Sequence, residues 1–148
     1  MNINLLIDDP RWRNSFKTLA VDVRKASRMV LKDYDVAEDA VVTLKFSIDD
    51  EVEVLNYLYR GKKKPTNVLS FPDGEPPLGD IIFAYETIKR EAKDQKKTFR
   101  AHTLHLVIHG LLHLLGHDHE QNSEAEEMEA LEIQYLKRLA IANPYEAR

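Results

Sequence analysis

All six histidines of the chain lie in one short segment, between positions 102 and 119. Four of them are spaced three or four residues apart, which on a helix places their imidazoles within an arc of roughly 80°: His102, His105, His109 and His113. Gly116 is a suitable residue to end such a helix, and His119 follows it after a turn. Imidazoles grouped on one helix face, with one more returning beyond the turn, indicate a metal site.

His109 and His113 stand at positions i and i+4, the spacing with which two helical histidines bind one metal ion. Together with His119 they form the string HxxxHxxGxxH. Three neutral imidazoles with an open fourth position are typical of catalytic zinc. We therefore predict one Zn²⁺ bound by these three residues, although nickel, copper and iron also accept three imidazoles.

Position 110 distinguishes this string from that of the zinc peptidases. Those enzymes place a glutamate directly after the first histidine, where it acts as general base, whereas this chain has Gly110. Proteolysis is therefore not expected. A metal held by imidazoles can still lower the pKa of a water that it binds to about 7, so hydrolysis does not require that glutamate.

The other residues of the segment each allow two interpretations. Asp118 either hydrogen-bonds a ligand imidazole or transfers a proton, which makes it a catalytic candidate, or it only caps the turn. His102 and His105 are either core histidines satisfied by hydrogen bonds or supports for the ligands. His117 either points to solvent or covers the site.

A dense basic segment precedes the histidines. Residues 60–64 contain Arg60, Lys62, Lys63 and Lys64 beside flexible Gly61. We predict that these four cations form a dense anion site that binds RNA, with a solvated surface as the alternative. Arg60 is the catalytic candidate, because a guanidinium pairs phosphoryl oxygens in bidentate fashion as charge develops on them. Residues 87–100 carry six basic against two acidic residues, as a second binding surface or as a solvated helix face.

The elements that must position these residues follow from hydrophobic periodicity. Strands are predicted over 2–7, 41–47, 66–71 and 80–84. Helices are predicted from 11 to about 30, from 49 to about 59, over 86–97, from 99 to 115, and from 123 to about 141, the last beginning with a capping box of Ser123 and Glu126. This order predicts an α/β (α+β) domain in which helices cover a small mixed sheet of about four strands.

Composition limits the class of protein. The chain has 148 residues, which predicts one domain over 1–148, and it has no cysteine, so any zinc must be held without thiolates. Neither a signal peptide nor an apolar run long enough for a membrane span is visible, so we expect a cytoplasmic protein without a membrane partner. The net charge of −4 conceals an asymmetry, because the acidity is concentrated beyond residue 100.

Two further sets of polar residues carry weaker predictions. The glutamates between Ser123 and Glu132 are predicted to form a solvated helix face, with contact to a basic partner as the alternative. Asn67, Ser70 and Asp80, beside predicted strands, either orient ligands and line the cleft or make strand-end hydrogen bonds.

Several motifs, in the same order and spacing over about residues 45–145, resemble the bacterial YbeY family of metal-dependent endoribonucleases. Besides the histidine string, the resemblance rests on Leu55-Asn56, Tyr59-Arg60-Gly61-Lys62, Pro65-Thr66-Asn67-Val68-Leu69-Ser70-Phe71-Pro72, Leu78-Gly79-Asp80-Ile81 and Glu124-Ala125-Glu126-Glu127-Met128-Glu129.

The resemblance implies a helix-surrounded mixed sheet with a zincin-like helix, zinc bound by His109, His113 and His119 at one end of a cleft, and Arg60 as the family's functionally important arginine. It also implies a single-strand-specific endoribonuclease that matures the 3′ end of 16S ribosomal RNA, without a role on DNA. The resemblance further implies roles in the quality control of defective ribosomes and in small-subunit assembly, with partners such as an Era-type GTPase.

Two other functions stay open on the sequence. One is a non-catalytic RNA-binding assembly factor whose metal stabilises the fold. The other is a metal-dependent hydrolase of peptides or esters, against which Gly110 argues.

Overall fold

The computed structural model describes residues 2–62, 66–72, 78–117 and 121–146. They form a four-stranded mixed sheet in the order β1-β2-β4-β3. The strands are β1 (Asn2–Ile7), β2 (Val41–Ser47), β3 (Val68–Pro72) and β4 (Gly79–Ala84). β1, β2 and β4 run parallel, while β3 pairs antiparallel with β4 at the edge of the sheet. The predicted fold class and all four strands are confirmed, with strand ends within two residues of the prediction.

Six helices pack with the sheet: α1 (Arg11–Ser15), α2 (Leu19–Leu31), α3 (Asp49–Arg60), α4 (Tyr85–Asp94), α5 (Phe99–Leu114) and α6 (Asn122–Arg138). α5 contacts α2, α4, α6, β3 and β4, and apart from its histidines its buried residues are mostly apolar. A helix that is apolar around most of its circumference belongs in the interior, so the sequence places the histidine-bearing helix at the centre of the molecule. None of the described helices is long and apolar enough to cross a bilayer.

The single helix predicted from residue 11 to 30 is wrong, because the structure divides it into α1 and α2. Phe16 has non-helical backbone angles, φ −142° and ψ 82°, and its side chain is buried. The short α1 buries Trp12, whose indole N–H donates to the backbone oxygen of Ser47 at 2.8 Å. Tertiary packing of two large aromatic residues therefore interrupts a pattern that local periodicity reads as continuous.

Two other helices are shorter at their C-terminal ends than predicted. α4 ends at Asp94 and α6 at Arg138, and each is followed within two residues by a residue in the left-handed region, Lys96 at φ 57° and Ala140 at φ 61°. The capping box is also wrong: α6 begins at Asn122 after an extended Gln121, whose side chain makes no capping hydrogen bond, and Ser123 lies within the helix.

Candidate active site and its histidine network

One cavity brings together three of the residues that the sequence predicted to act together. It has a volume of about 670 Å³ and lies where the end of α3, strand β3 and the second half of α5 meet. Arg60, His109 and His113 all line it, with Tyr59, Thr66, Asn67, Val68, Ser70, Phe71 and Pro72. We call this the histidine cavity.

Local structure explains how these side chains reach one place. His109 and His113 are one turn apart on α5, and both are half-buried, whereas residues 102–108 and 110–112 of the same helix are buried. Arg60 is the last residue of α3, and Gly61, at φ 68°, ends that helix in the left-handed conformation that glycine adopts without strain. Arg60 itself is exposed, so its guanidinium is accessible to a ligand.

Four predicted site residues, Lys63, Lys64, Asp118 and His119, lie outside the described residues. Within the described part of the chain no group of three metal-binding side chains is assembled, and the triad as predicted includes His119. Lys62 lies beside Arg60, in a neighbouring cavity rather than in the histidine cavity itself.

His109 is oriented by a buried carboxylate on another helix. Its Nδ1 lies 2.7 Å from Oε2 of Glu132 on α6, whose side chain is only 1% exposed, against 27% for His109. With Nδ1 engaged by this bond, Nε2 points away from Glu132. A carboxylate on one ring nitrogen fixes the tautomer and increases the basicity of the other, which is the usual support of a metal-binding histidine.

Glu132 is shared by three partners. Its Oε1 accepts hydrogen bonds from Nε2 of His105, at 2.7 Å, and from the hydroxyl of Tyr145. Burial by itself raises the pKa of Glu132, but the hydrogen bonds from His105 and His109 outweigh it and lower the pKa to about 2. Burial also lowers the pKa of His105. Glu132 is therefore an anion at neutral pH that holds two histidines in place.

His102 has a separate carboxylate partner. Its Nε2 lies 2.9 Å from Oε1 of Glu91 on α4, and the same oxygen accepts from the side-chain amide of Asn67 at 3.0 Å. Burial raises the pKa of Glu91, but the bonds from His102 and Asn67 produce a net lowering. His102 and His105 are thus buried histidines, each hydrogen-bonded to a carboxylate through Nε2, while Nδ1 of each has no partner among the described residues. His105 also shares its carboxylate with His109.

Comparison with known proteins gives the family. The model of the endoribonuclease YbeY family matches residues 7–140. This chain belongs to the YbeY family. A YbeY endoribonuclease of Chelativorans sp. (strain BNC1) is 53% identical over 72% of this chain and 70% of its own length. That of Azorhizobium caulinodans is 44% identical over 98% of this chain and 96% of its own. The family predicted from the motifs is confirmed.

A solved structure shares the fold. The solution structure of TM1509 from Thermotoga maritima superimposes with a TM-score of 0.68 and 28% identity, over 93% of this chain and 88% of that one.

Glu132 is the member of the site that the sequence prediction missed. The glutamates of α6 were predicted to form a solvated face, and for Glu132 this is wrong. A signal was available in the spacing, because position 132 lies four residues after Met128 and three and four before Tyr135 and Leu136, all of which are buried. The negative charge concealed the fact that this position belongs to the apolar face of the helix.

Gly110 is explained by the packing of α5 on the sheet. A Cβ at this position would lie 3.0 Å from Cγ2 of Ile81 and 3.4 Å from Oγ of Ser70. Position 110 therefore faces strands β3 and β4, and even a Cβ there would press on the side chain of Ile81. In a YbeY chain packed in this way, the Ile81 side chain would have to shift to accept the glutamate of the zinc peptidases.

The other polar candidates have different outcomes. Ser70 lines the histidine cavity, with its hydroxyl 3.5 Å from the carbonyl oxygen of Gly110, and Asn67 lines it as well. Asp80 is exposed on β4 and outside the described lining of that cavity. His117 is half-buried and lies 2.8 Å from the hydroxyl of Tyr34, so the interpretation that it points to solvent is wrong.

An exposed aromatic ring borders the histidine cavity. Tyr59 is 69% exposed, and its ring lies 5.2 Å from that of Phe71 at an interplanar angle of 61°. Both residues line the same cavity as Arg60 and the two histidines. Aromatic faces beside a cation are the combination on which proteins stack the bases and pair the phosphates of single-stranded nucleic acid.

Proposed function

We propose that this chain is a zinc-dependent endoribonuclease that cleaves single-stranded RNA in the histidine cavity. The observation that carries the proposal is the common cavity of Arg60, His109 and His113, in a chain of the YbeY endoribonuclease family. An RNA partner follows from the family name. Zinc, the roles of the individual residues and the choice of RNA are the proposed parts.

The residues of the described site suit a metal. His109 would bind it through Nε2, because Nδ1 is engaged by the buried anion of Glu132. His113 would be the second ligand and His119 the third, leaving a position open. A zinc ion held in this way supplies Lewis-acid chemistry and a nucleophile at neutral pH.

Arg60 would act on the phosphate. Its exposed guanidinium, at the edge of the same cavity, can pair two non-bridging oxygens as negative charge grows on them. Removal of one such preorganised donor typically costs 10²–10³-fold in rate. Tyr59 would stack a base next to the scissile phosphate, which requires an unpaired strand and accounts for a single-strand preference.

The biological substrate is proposed from the family resemblance. We place the cleavage in maturation of the 3′ end of 16S ribosomal RNA and in ribosome quality control, in the cytoplasm, with an Era-type GTPase as an assembly partner. Asp118 is proposed to hydrogen-bond a ligand imidazole or to transfer a proton during the same reaction.

The test is cleavage of a single-stranded oligoribonucleotide by purified protein, with metal content measured in the same samples. We expect about one zinc per chain, loss of cleavage on chelation, and recovery on addition of zinc. Arg60→Ala should keep its metal and lose about 10²–10³-fold in rate, with Arg60→Lys in between because an ammonium cannot form the bidentate pair.

The same measurements separate the two other functions. If chelation lowers the melting temperature but no preparation cleaves RNA, the metal is structural and the protein is an RNA-binding assembly factor. Turnover of a peptide panel by the zinc-loaded protein would instead support a peptide hydrolase. Full cleavage after chelation contradicts the zinc-dependent mechanism.

A further inference from the structure

The basic face of α4 lies next to the histidine cavity, and the proposed reaction does not use it. We infer that this face is a binding track for single-stranded RNA, along which the strand continues beyond the cleavage site. The inference rests on the proposed function, since it extends the substrate of the same site. The observation that supports the inference is a series of adjoining cavities, each of which shares a cationic residue with the next.

The first step of the track is a polar cavity of about 480 Å³ beside the histidine cavity. The two cavities share Arg60, Thr66 and Asn67 in their walls. The polar cavity adds Lys62 from the loop after α3 and Arg90 from α4. An RNA phosphate next to the one at Arg60 would therefore be met by two further cations.

The second step is a cavity of about 500 Å³ on the outer side of α4, and Arg90 is common to both. Its floor is apolar, made by Tyr85, Ala92 and Phe99. Its rim is mainly cationic, with Lys89, Arg90, Lys93 and Lys97 against one carboxylate, Glu86. Lys89 lies over the floor, with Nζ 5.5 Å from the ring centre of Phe99.

The cations of the track are available to a polyanion. Arg60, Lys62, Arg90 and Lys93 are exposed, and within the described residues none of them forms an ion pair. The carboxylates nearby have partners of their own: Glu91 accepts from His102 and Asn67, and Glu86 lies 3.5 Å from a guanidinium nitrogen of Arg11. The path is therefore positive along its length.

The chemistry of the track favours RNA over an acidic protein. Cations recur through three adjoining cavities, of which the first is the proposed cleavage site, and the apolar floor of the outer cavity offers a surface for a base. Four of the six basic residues within 87–100 line the track, namely Lys89, Arg90, Lys93 and Lys97, whereas Arg100 pairs with Asp22 at 2.9 Å.

The test compares two double variants that remove the same charge. Arg90→Gln with Lys93→Gln removes two cations of the track, and Lys25→Gln with Arg28→Gln removes two exposed cations at the same spacing on α2, outside the cavities of the track. The probes are 2′-O-methyl oligoribonucleotides of about three and about twelve nucleotides, bound to the full zinc-loaded chain over a series of salt concentrations. Their length is checked after incubation, so that only binding to intact probe is compared.

We expect the track variant to bind the long probe about tenfold more weakly or worse and the short probe as the wild type does. The slope of log affinity against log salt for the long probe should fall by about 1.4, because each lost phosphate contact on a single strand removes about 0.7. The α2 variant should bind both probes nearly normally.

Equal losses in the two variants would show only a general charge effect and would overturn the track. So would wild-type binding of the long probe by the track variant, or a poly-glutamate peptide of equal charge that competes as well as RNA. Cleavage of a short substrate by the wild type and the track variant is measured in parallel. It reports on the proposed function alone, so failure of the track and failure of the nuclease assignment are distinguishable.

Discussion

The two halves of α5 use the same residue type on the same face for different purposes. In the first half, His102 and His105 are 3% and 8% exposed, and each has its Nε2 within 2.9 Å of a carboxylate oxygen. In the second half, His109 and His113 line the cavity that holds Arg60, and the bond from His109 to Glu132 engages Nδ1 instead.

The difference shows what converts a core histidine into a candidate ligand. Burial on all sides commits Nε2 to a protein partner, whereas a carboxylate on Nδ1 orients the ring and directs Nε2 elsewhere. Glu132 joins the two halves, because one of its oxygens holds His105 and the other holds His109. Variants in the second half should therefore lose metal binding and cleavage, and variants in the first half should lose stability. A variant of Glu132, which contacts both halves, should affect the metal by way of His109.

The largest expected effect is on chemistry in the second half. His113→Ala should reduce RNA cleavage by more than about 100-fold and abolish stoichiometric zinc binding, since even changes behind a ligand typically cost 10–100-fold. Metal content by elemental analysis and cleavage rate are the two measurements. If the variant retained full cleavage, in a preparation cleared of contaminating nucleases, the second half of α5 would not hold the catalytic metal and would not differ from the first half in this respect.

The second-largest effect is expected at Glu132, which hydrogen-bonds a histidine in each half of α5. Glu132→Gln keeps the shape of the side chain but removes its negative charge, so we expect zinc affinity to fall by about 10–100-fold. Titration against a chelator of known affinity measures this directly. Glu126→Gln, on the exposed face of the same helix, is the matched control and should bind zinc normally. Equal affinities for the two variants would mean that Glu132 does not orient a ligand.

A stability defect without a metal defect is expected in the first half. His102→Ala leaves the partly buried Glu91 without one of its donors, which should reduce the free energy of unfolding by about 1–3 kcal/mol. Urea denaturation gives the stability, and the zinc content should remain that of the wild type. Loss of zinc from a variant that still folds would place His102 among the residues that support the metal.

The smallest effect is a pH dependence of that same pair. The pKa of Glu91 is lowered on folding, so its contribution to stability is present above the unfolded value near 4.5 and is lost as pH falls through the lower folded value. The free energy of unfolding of the wild type should therefore exceed that of Glu91→Gln at neutral pH by about 1 kcal/mol at most. The two curves should converge in acid, and a constant difference at every pH would contradict the pairing.

Much of this molecule could be predicted from local pattern. The four strands, the central histidine helix and the spacing of His109 and His113 follow from periodicity and residue type, because backbone geometry repeats over a few residues. The interruption at Phe16 could not be predicted in that way, because its cause is the packing of aromatic side chains against distant elements.

The sequence by itself determined which residues are chemically able to act: imidazoles one turn apart, an arginine before a glycine, and no glutamate at position 110. Only the tertiary structure decided how they are used. It pairs His109 with a carboxylate 23 residues away and His102 with one 11 residues before it, and it closes position 110 against Ile81. The physical reason is that hydrogen-bond partners and steric room are set by which elements pack together, and spacing along the chain does not contain that information.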